Sequence, residues 1–353
     1  MFDIYTAVIL MTFLLLVTTV VDATTNRLVT RATKIRTIIV CATIAISAIG
    51  ECVGVLTNGA DASLIWLHKL AKVVEFVFAP FIGIFAAFAY GATKRRKLVL
   101  GLAGAHGLFQ IVALFFGLVF TVDSQNVYHR EEFYFVYVAA FVLSVVYGFA
   151  CIIRNGKEYQ IGFDAVLALT LMILVVGIGI QFVWSEVRID YLCIAIGNEL
   201  LYTRYYKVML QVDAVTGLLN RKCYDVNVAD IGTDAVVIIF DVDKFKNVND
   251  AYGHSKGDAC LQRITLQLRN VYGKYGLCYR IGGDEFCAIL KKDGVAKVEE
   301  LNEAFLEAID ELRKDDDTMP GVTIGYAFYN AGNSHIQSVI EEADAMLYRN
   351  KNS

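Results

Sequence analysis

The chain has 353 residues, of which 56% are apolar and only 19% charged, and its mean hydropathy is +0.51. Soluble domains hold about 45–50% apolar and about 25% charged residues, so an ordinary soluble protein is excluded. The net charge of −4 also lacks the basic footprint of a nucleic-acid binder.

The charges are unevenly spread. Residues 1–212 carry 16 Lys and Arg against 13 Asp and Glu, whereas residues 213–353 carry 16 against 23. The first part reads as membrane and the second as an acidic soluble domain of ordinary size. A spanning helix needs about 20 mostly apolar residues. Stretches near 2–21, 37–57, 70–90, 98–120, 133–153 and 163–183 satisfy this. A seventh, near 190–209, is weaker because it holds Asn198, Glu199 and Arg204.

Lys and Arg mark the inner side of a membrane protein. They gather at Arg27–Arg36, Lys94–Lys97 and Arg154–Lys157, while the alternate loops carry only Arg130 and Arg188. The N-terminus is therefore expected outside, with seven spans placing the C-terminal part in the cytoplasm. The first apolar run lacks a basic flank and a small-residue cleavage site, so a cleaved signal peptide is not expected. Glu51, His68, Lys69, Lys72, Glu75, His106, Gln110 and Glu199 fall in or beside spans. Ionisable groups at membrane depth usually face a bundle interior, where they line a pocket or glue helices together. Lys72 and Glu75 share a helix face and are expected to pair, and Pro80 is a candidate kink. The seventh helix runs on without Pro or Gly from Gly197 to Gly217, as a conduit for motion or a plain spacer. The eight cysteines form no CxxC pair and read as free, mostly buried thiols.

The pattern changes at Asp213. Residues 235–240 form a β-branched run expected as a buried strand, and Asp241-Val242-Asp243 ends it. Helices are expected over 244–251 and 255–272, then strands at 277–281 and 286–290 joined through Gly282-Gly283. That pair suggests a hairpin turn with positive φ. A helix over 295–314, a strand at 322–328 and a helix over 336–350 complete an α+β domain with helices over a sheet. The carboxylates of Asp241, Asp243, Asp284 and Glu285 should meet at one sheet edge if the hairpin lies beside the first strand. Oxygen ligands of this kind suit Mg²⁺, which borrows further ligands from substrate phosphates. Two such ions would activate a hydroxyl and neutralise a triphosphate. Gly282 and Gly283 would admit phosphate closely, and Lys246 and Lys351 supply cationic donors.

Four segments then follow in order: Asp213-Ala214-Val215-Thr216-Gly217-Leu218-Leu219-Asn220-Arg221, Phe240-Asp241-Val242-Asp243-Lys244-Phe245-Lys246-Asn247-Val248-Asn249-Asp250, Gly253-His254 with Gly257-Asp258, and Arg280-Ile281-Gly282-Gly283-Asp284-Glu285-Phe286. Together with Ala343-Asp344-Ala345-Met346-Leu347-Tyr348 and Lys351, they closely resemble the diguanylate cyclase (GGDEF) family over about 211–353. The resemblance implies a nucleotide-cyclase-like domain with a ferredoxin-like core at 213–353. Residues 1–190 hold six spans, and 190–212 a seventh, signalling helix. It implies that Asp241, the Val242 carbonyl and Asp284 hold the metal, two Mg²⁺ (or Mn²⁺) per site. Asp284 is also the implied base, with Glu285 a second required acid and Lys246 steadying the triphosphate. Asn249 and Asp258 imply guanine contacts, with His254 in the same wall. A carboxylate there would pair with guanine N1–H and N2–H and reject adenine.

The implied reaction joins two GTP into cyclic di-GMP with two pyrophosphates, which requires a homodimer. The protein would sit in the inner (plasma) membrane lipid bilayer, answering an unknown external ligand and binding no nucleic acid. A catalytically silent module binding GTP or cyclic di-GMP is the alternative. Two departures stand out. Gly273 and Gly276 occupy the positions of an Arg-x-x-Asp pair found in product-inhibited relatives, so inhibition through that site is not expected. The arginine expected beyond Lys351 is missing before Ser353, and Arg349 is the nearest one.

Overall fold

The computed structural model describes residues 2–184 and 187–352, which divide into two compact units. The first comprises residues 1–157 and 161–207, and the second residues 208–353 together with 158–160.

Seven α-helices dominate the first unit: α1 (Phe2–Thr25), α2 (Arg31–Thr57), α3 (Ile65–Tyr90), α4 (Arg96–Phe116), α5 (Tyr134–Glu158), α6 (Ala165–Val183) and α7 (Asp190–Gln211). Seven spans were expected, and among the described residues five of these helices, α1 to α5, are long and apolar enough to cross a membrane. The apolar stretch of α6 (Ala165–Gln181) is shorter, and α7 is diluted by Asp190, Glu199, Arg204 and Lys207. As expected, α7 is one unbroken helix; α3 continues through Pro80, the candidate kink, as a single helix.

The fourth apolar stretch, expected to reach residue 120, stops as a helix at Phe116. Gly117 takes a left-handed φ of 59° there, a conformation that costs glycine little. The chain then turns into a small hairpin, β1 (Phe120–Val122) against β2 (Tyr128–Arg130). The ring of Phe120 packs on Phe76 and Tyr128. At the hairpin tip, buried Asn126 donates to the carbonyls of Ala60 and Asp61 and bonds His68 at 3.0 Å.

The ionisable groups of the helices are largely tied to one another. Lys72 and Glu75 pair at 2.8 Å, as their spacing indicated. Gly50 and Gly54 of α2 leave room for them, since a Cβ at either would stand 2.8 Å from an atom of α3. Glu51 accepts from Arg188 at 3.2 Å and from Tyr5 at 3.3 Å. Thr19 donates to Glu199, and Arg204 donates to Asp164 at 2.6 Å. A buried ion pair holds register because breaking one partner strands the other charge.

The second unit contains α8 (Arg221–Ala229), β3 (Ala235–Val242), α9 (Phe245–Tyr252), α10 (His254–Tyr272), β4 (Gly276–Arg280), β5 (Glu285–Lys291), α11 (Val298–Asp315), β6 (Val322–Tyr329) and α12 (Ile336–Lys351). Every expected strand and helix is present. Helix α8 was not anticipated, because only its cap signals it: Asn220 accepts from Cys223 N at 3.1 Å. The sheet order is β4-β5-β3-β6 with all neighbours antiparallel. With the β-α-β-β-α-β sequence of elements, this is the expected ferredoxin-like core.

All eight residues of β3 are buried. One face, Val236, Ile238, Phe240 and Val242, meets Leu261, Ile264, Leu268, Phe305 and Ile309 of α10 and α11. Helix α12 covers the other face, approaching β6 so closely at Gly325 that a Cβ there would lie 2.3 Å from the Ala343 carbonyl oxygen. The eight cysteines are all free, and five are buried. Burial pushes the Cys278 thiol up to about 12, so it stays protonated and inert.

Candidate active site

The strand register builds the site. Asp241 stands opposite Glu285 on β5 and opposite Thr323 on β6. Val242 N donates to the Asp284 carbonyl at 3.1 Å. Asp241, the Val242 peptide and Asp284 therefore meet at one end of the sheet, as the acid pattern indicated. Asp243 follows them, held by Thr323 Oγ1 at 2.6 Å and by its own N–H on the Gly321 carbonyl. Asp243, Lys244, Asn247, Thr323 and Lys351 line an open cleft of about 880 Å³.

Asp241 is buried, and its Oδ1 has no hydrogen-bond donor aligned on it. Lys351 Nζ, from the last turn of α12, stands 2.6 Å from that oxygen, near enough for an ion pair but outside hydrogen-bonding geometry. Lys351 thus supplies the cation that a buried carboxylate needs. Among the described residues, no three His, Cys, Asp or Glu side chains gather as a self-sufficient metal cage. Two carboxylates and a backbone carbonyl would fit Mg²⁺ completed by phosphates and water.

The turn itself differs from expectation. Neither Gly282 nor Gly283 adopts positive φ. The turn closes through Ile281 N and Gly282 N, both donating to the Glu285 carbonyl, at 3.0 and 3.2 Å. Gly282 instead allows close approach of the Glu285 side chain: a Cβ there would lie 2.5 Å from Glu285 Oε2. Gly283 faces open space, where phosphate can come near its backbone.

Arg280, quoted in the sequence pattern but given no role, clamps this turn. Its Nε donates to the Gly282 carbonyl at 3.2 Å and its Nη2 to the Gly283 carbonyl at 2.7 Å. Its Nη1 donates to Asp213 at 2.9 Å. Asp213 also accepts from Thr216 N and Oγ1. The C-terminal end of α7 joins the same arrangement, since Asn220 donates from its side chain to Leu210 O and from its backbone to Gln211 O, both at 2.8 Å.

Burial would raise the Asp213 pKa, but the Arg280 and Thr216 hydrogen bonds outweigh it and hold the carboxyl below its usual value. A folded pKa below the unfolded one gives stability that is complete above about pH 4 and is lost as pH falls through the folded value. The difference in thermal midpoint between wild type and Asp213→Asn should therefore shrink on acidification from neutral pH. A pH-independent difference would remove the charge of Asp213 as the cause.

Away from the carboxylates, Asn249 of α9 lies against Gly257 of α10: a Cβ on Gly257 would come within 2.0 Å of Asn249 Oδ1. Asp258 is the next residue, and His254 stands one turn earlier on the same helix. Lys246, His254 and Asp258 are exposed. Among the described residues, no hydrogen bond or ion pair ties them to the carboxylates. The structure thus gathers Asp241, Val242, Asp284, Glu285 and Lys351, and separately Asn249 with the α10 turn.

Residues 210–353 match the family model described as diguanylate cyclase, GGDEF domain. The chain is similar to diguanylate cyclase DgcM of Escherichia coli K12, with 33% identity over 147 residues, 40% of this chain and 36% of that protein. It is similar to diguanylate cyclase VdcA of Vibrio cholerae, with 29% identity over 149 residues, 40% of this chain and 44% of that protein. It thus spans less than half the length of these curated relatives. Among solved structures, it resembles the GGDEF domain of DgcB from Caulobacter crescentus in complex with c-di-GMP, at 27% identity and a TM-score of 0.34, covering 40% of this chain and 88% of that one.

Proposed function

We propose that this chain, whose residues 210–353 are a GGDEF domain, is a membrane-anchored diguanylate cyclase. It joins two GTP into cyclic di-GMP and releases two pyrophosphates. The observation that supports this reading is the meeting of buried Asp241, the Val242 peptide and the Asp284 turn at one end of the sheet, with Lys351 Nζ 2.6 Å from Asp241. An intact acidic turn set on a metal-type donor site suits turnover more than silent binding.

Asp241, the Val242 carbonyl and Asp284 would hold the divalent metal, two Mg²⁺ or Mn²⁺ per site. When bound, the metal supplies Lewis-acid stabilisation of the phosphates. Asp284 takes the proton of the attacking 3′-hydroxyl. The 3′-oxygen forms its bond to the α-phosphorus as the α–β bridge breaks and pyrophosphate leaves. Lys351 moves from Asp241 to the incoming phosphates, and Lys246 steadies the same charge. Glu285 acts as the second acid of the turn, and Gly282 and Gly283 let phosphate approach. Asn249 and Asp258 read guanine, with His254 lining their wall. Each domain holds one GTP, so two copies must face each other, and positioning supplies much of the rate.

The helical unit would place seven spans in the inner membrane, with the N-terminus outside and the GGDEF domain in the cytoplasm, following the basic loops. An external signal acting on the paired groups around Glu51, Lys72 and Glu75 would set the output.

The test is GTP turnover by the purified full-length protein with Mg²⁺, with products separated by chromatography. Cyclic di-GMP is expected. GTP retained without turnover would overturn the enzyme reading in favour of a binding module.

A further inference from the structure

Strand β4 is an edge of its sheet. An open edge presents unpaired N–H and C=O groups, which a protein must cover or leave as a template for other chains. Here the outward groups of β4 are covered by two segments distant in sequence. Leu219 takes the upper half: its N–H donates to the Cys278 carbonyl at 3.2 Å, and its carbonyl accepts from Arg280 N at 2.8 Å. Gln160 takes the lower half with its side chain. Its Oε1 accepts from Cys278 N at 2.8 Å, and its Nε2 donates to the Gly276 carbonyl at 3.1 Å.

A primary amide carries one acceptor and one donor side, like a peptide group. Gln160 therefore stands in for one residue of a neighbouring strand. Three further features fix it there. Arg269 of α10 donates to the Glu158 carbonyl. The Tyr159 ring lies against Gly217, 3.5 Å from where a Cβ would be. Gln160 itself is held at a φ of 59°, a left-handed conformation that L-residues rarely adopt without compensation. Gly273 leaves space beside it, since a Cβ there would crowd the Arg269 carbonyl and lie 3.0 Å from Gln160 Nε2.

We infer that residues 158–160 are a built-in strand substitute that clasps the edge of β4 and braces the active-site turn. The segment folds with the catalytic unit, yet along the chain it is the link between α5 and α6. The clasped Cys278 lies two residues before Arg280, whose guanidinium holds the Gly282 and Gly283 carbonyls. The brace thus enters β4 from the α5–α6 link, while Asp213 enters the same turn from the α7 side. This regulatory role rests on the cyclase reading, whereas the clasp itself does not.

The test uses the full-length protein and follows amide exchange of peptides spanning 276–280, with the buried β3 peptide 235–240 as a folding control. Gln160→Ala removes both bonds, and exchange at the β4 peptide should quicken about tenfold or more with β3 unchanged. Gln160→Glu keeps an acceptor for Cys278 N but loses the donor to the Gly276 carbonyl, so its exchange should fall between wild type and Gln160→Ala. In parallel, Gln160→Ala should lower kcat for GTP severalfold with KM held, because the turn carries reacting carboxylates rather than guanine contacts. Unchanged β4 exchange in Gln160→Ala would overturn the clasp. Faster exchange with unchanged kcat would overturn the brace. Faster exchange in a protein whose wild type also shows no turnover would refute the cyclase reading and leave the clasp standing.

Discussion

Replacing Asp284 with alanine is expected to lower cyclic di-GMP formation by at least about a hundredfold, on the scale seen when a group aimed at developing charge is removed. The reason is local. The Asp284 carbonyl accepts from Val242 N, and that backbone bond survives the substitution. The turn is further closed by Ile281 N, Gly282 N and the two Arg280 bonds, none of which uses the Asp284 side chain. The side chain is half-buried, so its loss leaves the fold intact. What disappears is the carboxylate that, in the proposed reaction, would join Asp241 in facing metal and attacking hydroxyl. Asp284→Asn keeps the shape without the charge and should be as impaired. Chromatographic product assays, beside circular dichroism of each variant, read the effect. Turnover within about tenfold of wild type in either variant would remove Asp284 from the chemistry.

Gly257→Ala is expected to raise KM for GTP about tenfold or more, with the helix gain of alanine offset by crowding around the new Cβ. Glycine inside a helix costs about 0.5–1 kcal/mol relative to alanine, so α10 itself should gain. The added Cβ, however, would stand 2.0 Å from Asn249 Oδ1 and 3.1 Å from the Phe245 ring. Asn249 must then swing away from the place where it would meet guanine. A lost hydrogen bond of about 1–1.5 kcal/mol corresponds to roughly a tenfold loss in affinity. Unlike Asp284→Ala, the variant keeps every carboxylate, so kcat at saturating GTP should fall far less than kcat/KM. An unchanged KM would show that the Asn249 amide is not part of the nucleotide wall.

These two sites differ in how far the sequence revealed them. The acid residues at 241, 243, 284 and 285 were legible because strand periodicity and a glycine turn place them with few alternatives. The Asn249–Gly257 fit was not, since it depends on how α9 and α10 cross. The same holds for the turn: two adjacent glycines suggested positive φ, yet their use is close approach at Gly282 and an open backbone at Gly283. Helix α8 escaped because nine residues with a single capping asparagine give little periodicity to read.

The sequence alone determined the division into an apolar, lightly charged half and an acidic α+β half, the order of the strands and helices, and the carboxylate pattern. These follow from burial, run length and local spacing, which are properties of neighbours along the chain. Only the structure decided where the apolar helices end, with five of spanning length and composition among the described residues, and that a hairpin follows Phe116. It also decided which distant groups hold the turn: Asp213 with Arg280 across 67 residues, and Gln160 with Cys278 across 118. Such pairs leave no periodic trace, because each is a single contact whose geometry exists only once the sheet has paired and presented its edge.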